Sequence, residues 1–170
     1  MNTTKSSSAN KTAFNSALRI LTLRDHSRYE LVEKLKLRGF SRKEIDDAIS
    51  ACERFDYIND ARTARVYIRQ LKRKGYGKKR IQLELHKKGL KGSRLEGILD
   101  QSVSASDERE GAEQILRKHM QRFEREREEL KRRDKIYRFL QARGFTHDII
   151  VETINNCDLK GNSNRIPAKR

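Results

Sequence analysis

The sequence predicts an all-α protein built from three tandem three-helix repeats that form an elongated, curved array. Three observations carry that prediction. A single proline, Pro167, and only nine glycines leave almost the whole chain free to be helical. Apolar residues recur at three- and four-residue spacing rather than in alternation. A pattern centred on a glycine then returns three times, with a period of about 50 residues.

The three copies are ELVEKLKLRGFSRKEIDDAISAC from Glu30, RIQLELHKKGLKGSRLEGILDQS from Arg80 and KIYRFLQARGFTHDIIVETINNC from Lys135. Eight residues before the glycine stand Leu31, Ile81 and Ile136, and four before it Leu35, Leu85 and Leu140. Directly after it come Phe40, Leu90 and Phe145. Ile45/Ile49, Leu95/Leu99 and Ile150/Ile154 follow on the next helix. The register holds without a gap, which amphipathicity alone does not produce. Each unit is small, so neighbouring units are expected to lean on one another.

Taken in order, residues 1–12 are Ser/Thr/Asn/Lys-rich and are expected to be disordered. Repeat 1 spans residues 13–58. Phe14 to Arg24 reads as its first helix, and Ser27-x-x-Glu30 and Ser41-x-x-Glu44 are capping boxes that open the second and third. Gly39 stands where a left-handed helix stop is wanted. Repeat 2 spans residues 59–104. Its first helix runs from about Asp60 to Lys74, with Asn59 or Asp60 as cap and Gly75 as stop. Repeat 3 spans residues 105–157 and opens on a long helix from Asp107 to about Arg133, capped by Ser106. Ile115, Met120 and Phe123 supply that helix's inward face, Glu124 is the place for a break, and Asp134 is the expected cap of the next helix. Residues 158–170 lack periodicity and are expected to be disordered.

A hydrophobic content of 35% against 38% charged residues is lean for one large core and suits small helical units. No stretch approaches the roughly 18 apolar residues of a membrane span. The N-terminus lacks the apolar core of a signal peptide. The expectation is a soluble, cytoplasmic monomer. Cys52 and Cys157 share one repeat position, where Ser102 stands in the middle unit, so they read as small packing residues rather than a disulfide or metal pair. The four histidines show no ligand spacing, and no phosphate-binding loop, carboxylate pair or nucleophile elbow is present. No enzyme activity, cofactor or metal is expected.

Charge is the strongest functional signal. Residues 61–92 hold twelve Lys and Arg against one acid, Glu84, so +11 of the chain's net +16 sits in that stretch. At about 100° per residue, Arg62, Arg65, Arg69, Lys72 and Arg73 share an arc of about 100°, opposite Ala64, Tyr67, Ile68 and Leu71. A solvated face would mix acids among the cations to gain pair energy. The reading is a contact surface for phosphates or an acidic protein, extended by Lys78, Lys79 and Arg80. The helix that follows the glycine turn, Ser93 to Val103, is nearly neutral, which argues against base reading in a duplex groove. Tyr67 and Tyr76 are placed to stack on bases, but Tyr67 lies at the edge of the apolar face and reads first as core.

Phe55-Asp56-Tyr57-Ile58-Asn59-Asp60-Ala61-Arg62-x-Ala64-Arg65 resembles the signature joining the first two units of the RecX family of recombinase regulators. A basic helix, Lys74-Gly75-Tyr76-Gly77 and Ile81-x3-Leu85-x3-Gly89-Leu90 follow as in that family, and the resemblance extends from about Ala17 to Cys157. Thr63 departs from it, standing where the family commonly has an aromatic residue, and is expected to loosen local packing. The resemblance implies a protein that lies in the groove of the RecA filament on single-stranded DNA. There it would restrain recombinase, ATPase and co-protease activity in recombination, repair and the SOS response. It supplies no catalytic residues. The expected contacts are those derived above: Arg62, Arg65, Arg69, Lys72, Arg73, Lys78, Lys79 and Arg80. The alternatives are a general nucleic-acid-binding module acting without RecA, and a helical scaffold whose basic surface is incidental.

Overall fold

Helices begin and end where local chemistry places their caps. The computed structural model describes residues 12–163 and, among these, holds nine helices and no strand. Unit 1 comprises α1 (Ala13–Leu21), α2 (Arg28–Lys36) and α3 (Arg42–Arg54). Unit 2 comprises α4 (Asp60–Arg73), α5 (Lys78–Lys87) and α6 (Ser93–Ser102). Unit 3 comprises α7 (Ala105–Glu124), α8 (Glu129–Ala142) and α9 (His147–Ser163). Both sequence-predicted capping boxes form, at Ser27 with Glu30 and at Ser41 with Glu44. Asn59, not Asp60, caps α4 and accepts from the Arg62 N–H at 3.1 Å.

The glycine turns match in detail. Gly39, Gly89 and Gly144 take φ of 82°, 71° and 83°. The following amide, of Phe40, Leu90 or Phe145, donates back to the carbonyl of Leu35, Leu85 or Leu140 at 3.4, 3.0 and 3.3 Å. That is the long bond of a Schellman stop. The aligned apolar positions on either side are buried in all three units except Phe40, which is half-buried, and each unit packs its own core.

Several expected boundaries shift. α1 ends at Leu21 rather than Arg24. α7 starts at Ala105, because Ser104 and Asp107 form the capping box that Ser106 was expected to supply. The helix does break at Glu124. α8 begins at Glu129, so Asp134 is no cap but an interior residue paired with Arg138 at 2.7 Å. α9 runs on to Ser163, since nothing between Asp158 and Lys160 opposes a helix. That corrects the expected disorder from residue 158. The rest of the expected disordered segments, residues 1–11 and 164–170, lie outside the described residues.

Two seams join the units, and they are built alike. Ser27, Arg28, Tyr29 and Glu30 align in the repeat with Gly77, Lys78, Lys79 and Arg80, and Lys88-Gly89 aligns with Arg143-Gly144. In seam 1, the Ser27 hydroxyl donates to the Lys88 carbonyl at 2.5 Å, and the Arg28 N–H donates to Asp60 Oδ1 at 2.8 Å. In seam 2, the Gly77 N–H donates to the Arg143 carbonyl at 2.9 Å, and the Lys78 N–H to Glu108 Oε1 at 2.9 Å. Each time the N-terminus of a unit's second helix sits on the glycine turn of the next unit. The N–H groups that a helix start leaves unpaired find acceptors there. The approach leaves no room for a side chain: a Cβ on Gly89 would collide with Tyr29, and one on Gly144 with the Arg80 backbone. Thr63, expected to loosen packing, is instead buried, and its hydroxyl reaches the His26 carbonyl at 3.5 Å across seam 1.

Candidate polyanion-contact face

The cations of residues 61–92 divide into two sets according to whether an acid reaches them. Arg62 pairs with Asp56 at 2.5 Å, and Lys78 with Asp100 at 3.0 Å. Lys72 Nζ bonds Asp107 at 2.8 Å and the Ser102 carbonyl at 3.0 Å. Lys88 pairs with Glu30 at 2.5 Å. All four acids lie outside the stretch. Its single acid, Glu84, serves both Arg80 and Lys87 at 3.0 Å. Arg80 Nε has no aligned hydrogen bond to Glu84, so this is a contact of charges only.

The second set stands free. Arg65, Arg69, Arg73 and Lys79 are exposed, and among the described residues they form no ion pair. Ala64, Ile68 and Leu71 are buried in the unit 2 core, which turns the opposite side of α4 outward. Arg65, Arg69 and Arg73 follow one another at i, i+4 spacing along that side. Like charges so placed cost a helix about 0.2–0.5 kcal/mol per pair. Lys79 contributes differently: its N–H donates to the Gly144 carbonyl at 3.1 Å in seam 2 while its side chain remains exposed. Lys74 and Lys91 are exposed as well. They belong to the charge count that sequence reasoning used, although it did not single them out.

The eight predicted contact residues therefore split evenly. Arg65, Arg69, Arg73 and Lys79 are available to a ligand, whereas Arg62, Lys72, Lys78 and Arg80 are engaged within the chain. Lys72 and Lys78 meet acids from unit 3 and from α6, at separations that no local pattern exposes, whereas the i, i+4 pair Arg80–Glu84 and the nearby Asp56 beside Arg62 were legible in the sequence and were passed over.

The seam acids remain charged at neutral pH. Hydrogen bonds from Lys72, the Ser104 hydroxyl and the Ser104 amide hold the Asp107 carboxyl down at about 2. Burial alone would raise the Glu30 carboxyl, but bonds from Arg24, Lys88 and the Ser27 amide outweigh it and hold it at about 2. The two tyrosines are less available than the sequence allowed. Both pack against the unit 2 core. Lys88 sits 4.8 Å above the Tyr67 ring, and the Arg80 guanidinium lies 5.6 Å from the Tyr76 ring. Cys52 is fully buried, which pushes its thiol up. Among the described residues no group of three or more His, Cys, Asp or Glu could hold a metal ion, and no helix is long and apolar enough to cross a membrane.

Fold and face together define a helical-repeat protein with one strongly cationic unit between two nearly neutral ones. Comparison with known proteins makes this specific. Residues 13–52, 59–93 and 107–154 match the first, second and third three-helix domains of RecX. Regulatory protein RecX of Legionella pneumophila is 36% identical over 139 residues, covering 81% of this chain and 89% of the relative. Regulatory protein RecX of Haemophilus influenzae is 34% identical over 143 residues, covering 84% and 92%. The crystal structure of RecX from Lactobacillus salivarius superposes with a TM-score of 0.75 at 26% identity, covering 86% of this chain and 95% of that one. The chain belongs to the RecX family of regulatory proteins.

Proposed function

We propose that this protein binds the RecA filament on single-stranded DNA and mainly restrains RecA's recombinase, ATPase and co-protease activities. It would act in the cytoplasm as a monomer during recombination, repair and the SOS response, without a catalytic step of its own. Family membership supports the regulatory role. The observation that carries the mode of binding is the row Arg65, Arg69, Arg73, with Lys79, left exposed without an ion pair among the described residues. A polyanionic groove supplies the counter-charge that the chain withholds, and neutralising phosphates releases their condensed counterions. Arg62, Lys72, Lys78 and Arg80 support the face by fixing the helices that present it.

The test is RecA ATPase on single-stranded DNA with and without the protein. Inhibition at a modest stoichiometric excess is expected, and the joint reversal Arg65→Glu, Arg69→Glu and Arg73→Glu should abolish it. If the reversal removes binding to naked DNA while RecA inhibition persists, the face serves nucleic acid alone. No inhibition by the unaltered protein refutes the proposal.

A further inference from the structure

Unit 3 is nearly neutral in sum but not in the way its charge is distributed along α7. At about 100° per residue, Gln114, Lys118, Gln121, Arg122 and Arg125 share one flank of that helix, within an arc of about 100°. The only α7 acid in that arc is Asp107 at its start, whose charge Lys72 already takes at 2.8 Å. Glu110, Glu113, Arg117 and Glu124 crowd the neighbouring flank, where signs mix as on an ordinary solvated helix face. All five residues of the basic flank are exposed, and Lys118, Arg122 and Arg125 form no ion pair among the described residues. The dipole at the end of α7 favours cations throughout its last turn, but it selects no flank.

This flank is the one that α4 runs onto. Lys72 meets Asp107, Arg73 lines one cleft with Gly111 and Gln114, and the Gly75 backbone abuts Ile115, where an added Cβ would lie 2.8 Å from Cδ1. As α4 and its turn run out, the contacts advance along α7 towards its C-terminus. The row Arg65, Arg69, Arg73 thereby leads onto Gln114, Lys118 and Arg122. Arg143 adds a cation at the joint: its guanidinium donates to the Lys74 carbonyl at 3.3 Å and has no acid partner among the described residues. Of the acids lining the cleft, Asp107 is taken by Lys72 and Glu108 by the Lys78 N–H, which leaves Glu110 without a partner among the described residues.

We propose that this flank of α7 continues the polyanion face across seam 2 and that the joint track holds the sugar–phosphate backbone of one nucleic-acid strand, a proposal that rests on the α4 row being such a face. Cations interleaved with side-chain amides are the donors that phosphate oxygens take. An acidic protein partner would want an apolar anchor at the centre of its contact. Among the described residues, none of the exposed large apolar side chains lies on α4 or α7. The stretches from Arg65 to Arg73 and from Gln114 to Arg125 together measure about 30 Å at 1.5 Å per residue, the length of about nine stacked nucleotides.

The probe is a fluorescent oligo-dT longer than the track, its binding to the full chain followed by anisotropy over a series of salt concentrations. Lys118→Gln, Arg122→Gln and Arg125→Gln together should flatten the log–log slope by about 2, which is three phosphate contacts at about 0.7 each. Lys118→Gln alone, outside the last turn of α7, should flatten it by about 0.7 with the melting temperature unchanged. Arg117→Gln, on the mixed flank, should leave the slope as it is. Glu110→Gln should tighten binding about twofold, by removing a like charge from the rim of the track. Unchanged slopes in both α7 variants, or an equal flattening by Arg117→Gln, overturn the proposal. If the triple variant keeps its DNA slope but loses affinity for RecA free of DNA, the flank serves an acidic protein and the proposal falls as well. The joint reversal of Arg65, Arg69 and Arg73 to Glu, measured alongside, separates the two levels: if it too leaves the slope unchanged, the polyanion face itself fails, and otherwise only its extension onto α7 does.

Discussion

Glu30 offers the most direct test of how the units are held together. Its side chain is 15% exposed and accepts from Arg24 at 3.0 Å, from Lys88 at 2.5 Å and from the Ser27 amide at 3.2 Å. Lowering its carboxyl from an ordinary 4.5 to about 2 corresponds to about 3 kcal/mol in favour of the folded, charged form. The folded value lies below the unfolded one. The contribution is therefore fully present above about pH 4.5 and drains away as pH falls towards 2. Glu30→Gln keeps the shape and removes the charge, so it mimics the protonated state. Urea unfolding followed by circular dichroism should show the variant less stable by about 3 kcal/mol at pH 7 and by only about 1.5 kcal/mol at pH 3. An equal deficit at both pH values would mean that shape rather than charge matters at seam 1. No deficit at pH 7 would mean that desolvation cancels the pairing, as it does for many buried ion pairs. Either outcome refutes the view of Glu30 as an electrostatic latch.

Four further outcomes follow from the same geometry. Gly39→Ala should cost only the left-handed strain of about 1 kcal/mol, while Gly89→Ala and Gly144→Ala should each add about 1–3 kcal/mol for forcing a seam apart; urea midpoints of the three variants decide it. Glu108→Ala leaves the Lys78 N–H without its acceptor and should cost about 1 kcal/mol in thermal or urea unfolding, as loss of a helix cap does. Arg65→Gln, Arg69→Gln, Arg73→Gln or Lys79→Gln should each flatten the salt dependence of single-stranded DNA binding by about 0.7 in log–log slope, with the melting temperature unchanged. Lys72→Gln should do the reverse, lowering the melting temperature by about 2–4 °C and leaving the slope nearly unchanged.

The helices were legible because their signals are local. Ser27, Ser41 and the turn glycines carry their caps within four residues, and the repeat alignment named the buried positions before any packing was known. The failures are local too. At Ser104, Ser106 and Asp107 two serines compete for one cap, and the hydroxyl that could exchange hydrogen bonds with an acid three residues on prevailed. Asp134 looked like a cap because it ends a polar run, but ion pairs such as Glu128–Lys131 and Asp134–Arg138 support a helix through that run. The placement of the candidate contact residues was half legible. Helical periodicity gave the direction of the Arg65, Arg69 and Arg73 side chains, because that follows from the apolar face of the same helix. It could not show that Lys72 is held by Asp107, 35 residues on.

That long-range pairing explains how so basic a stretch folds while remaining cationic. With one acid among residues 61–92, that stretch cannot neutralise itself, and its twelve cations would repel. Within the middle unit α6 supplies Asp100, while the neighbours supply Asp56 and Glu30 on one side and Asp107 on the other. The contacts between units therefore do two things at once: they latch the units together and they remove the cations nearest the seams from the total. What remains without an ion pair among the described residues is the row on α4 together with Lys74, Lys79 and Lys91. An acid placed within α4, for instance at Arg69, would relieve the repulsion more simply and would abolish the surface. A sequence that draws its anions from outside α4 instead keeps the units latched and leaves the row on that helix without an ion pair among the described residues.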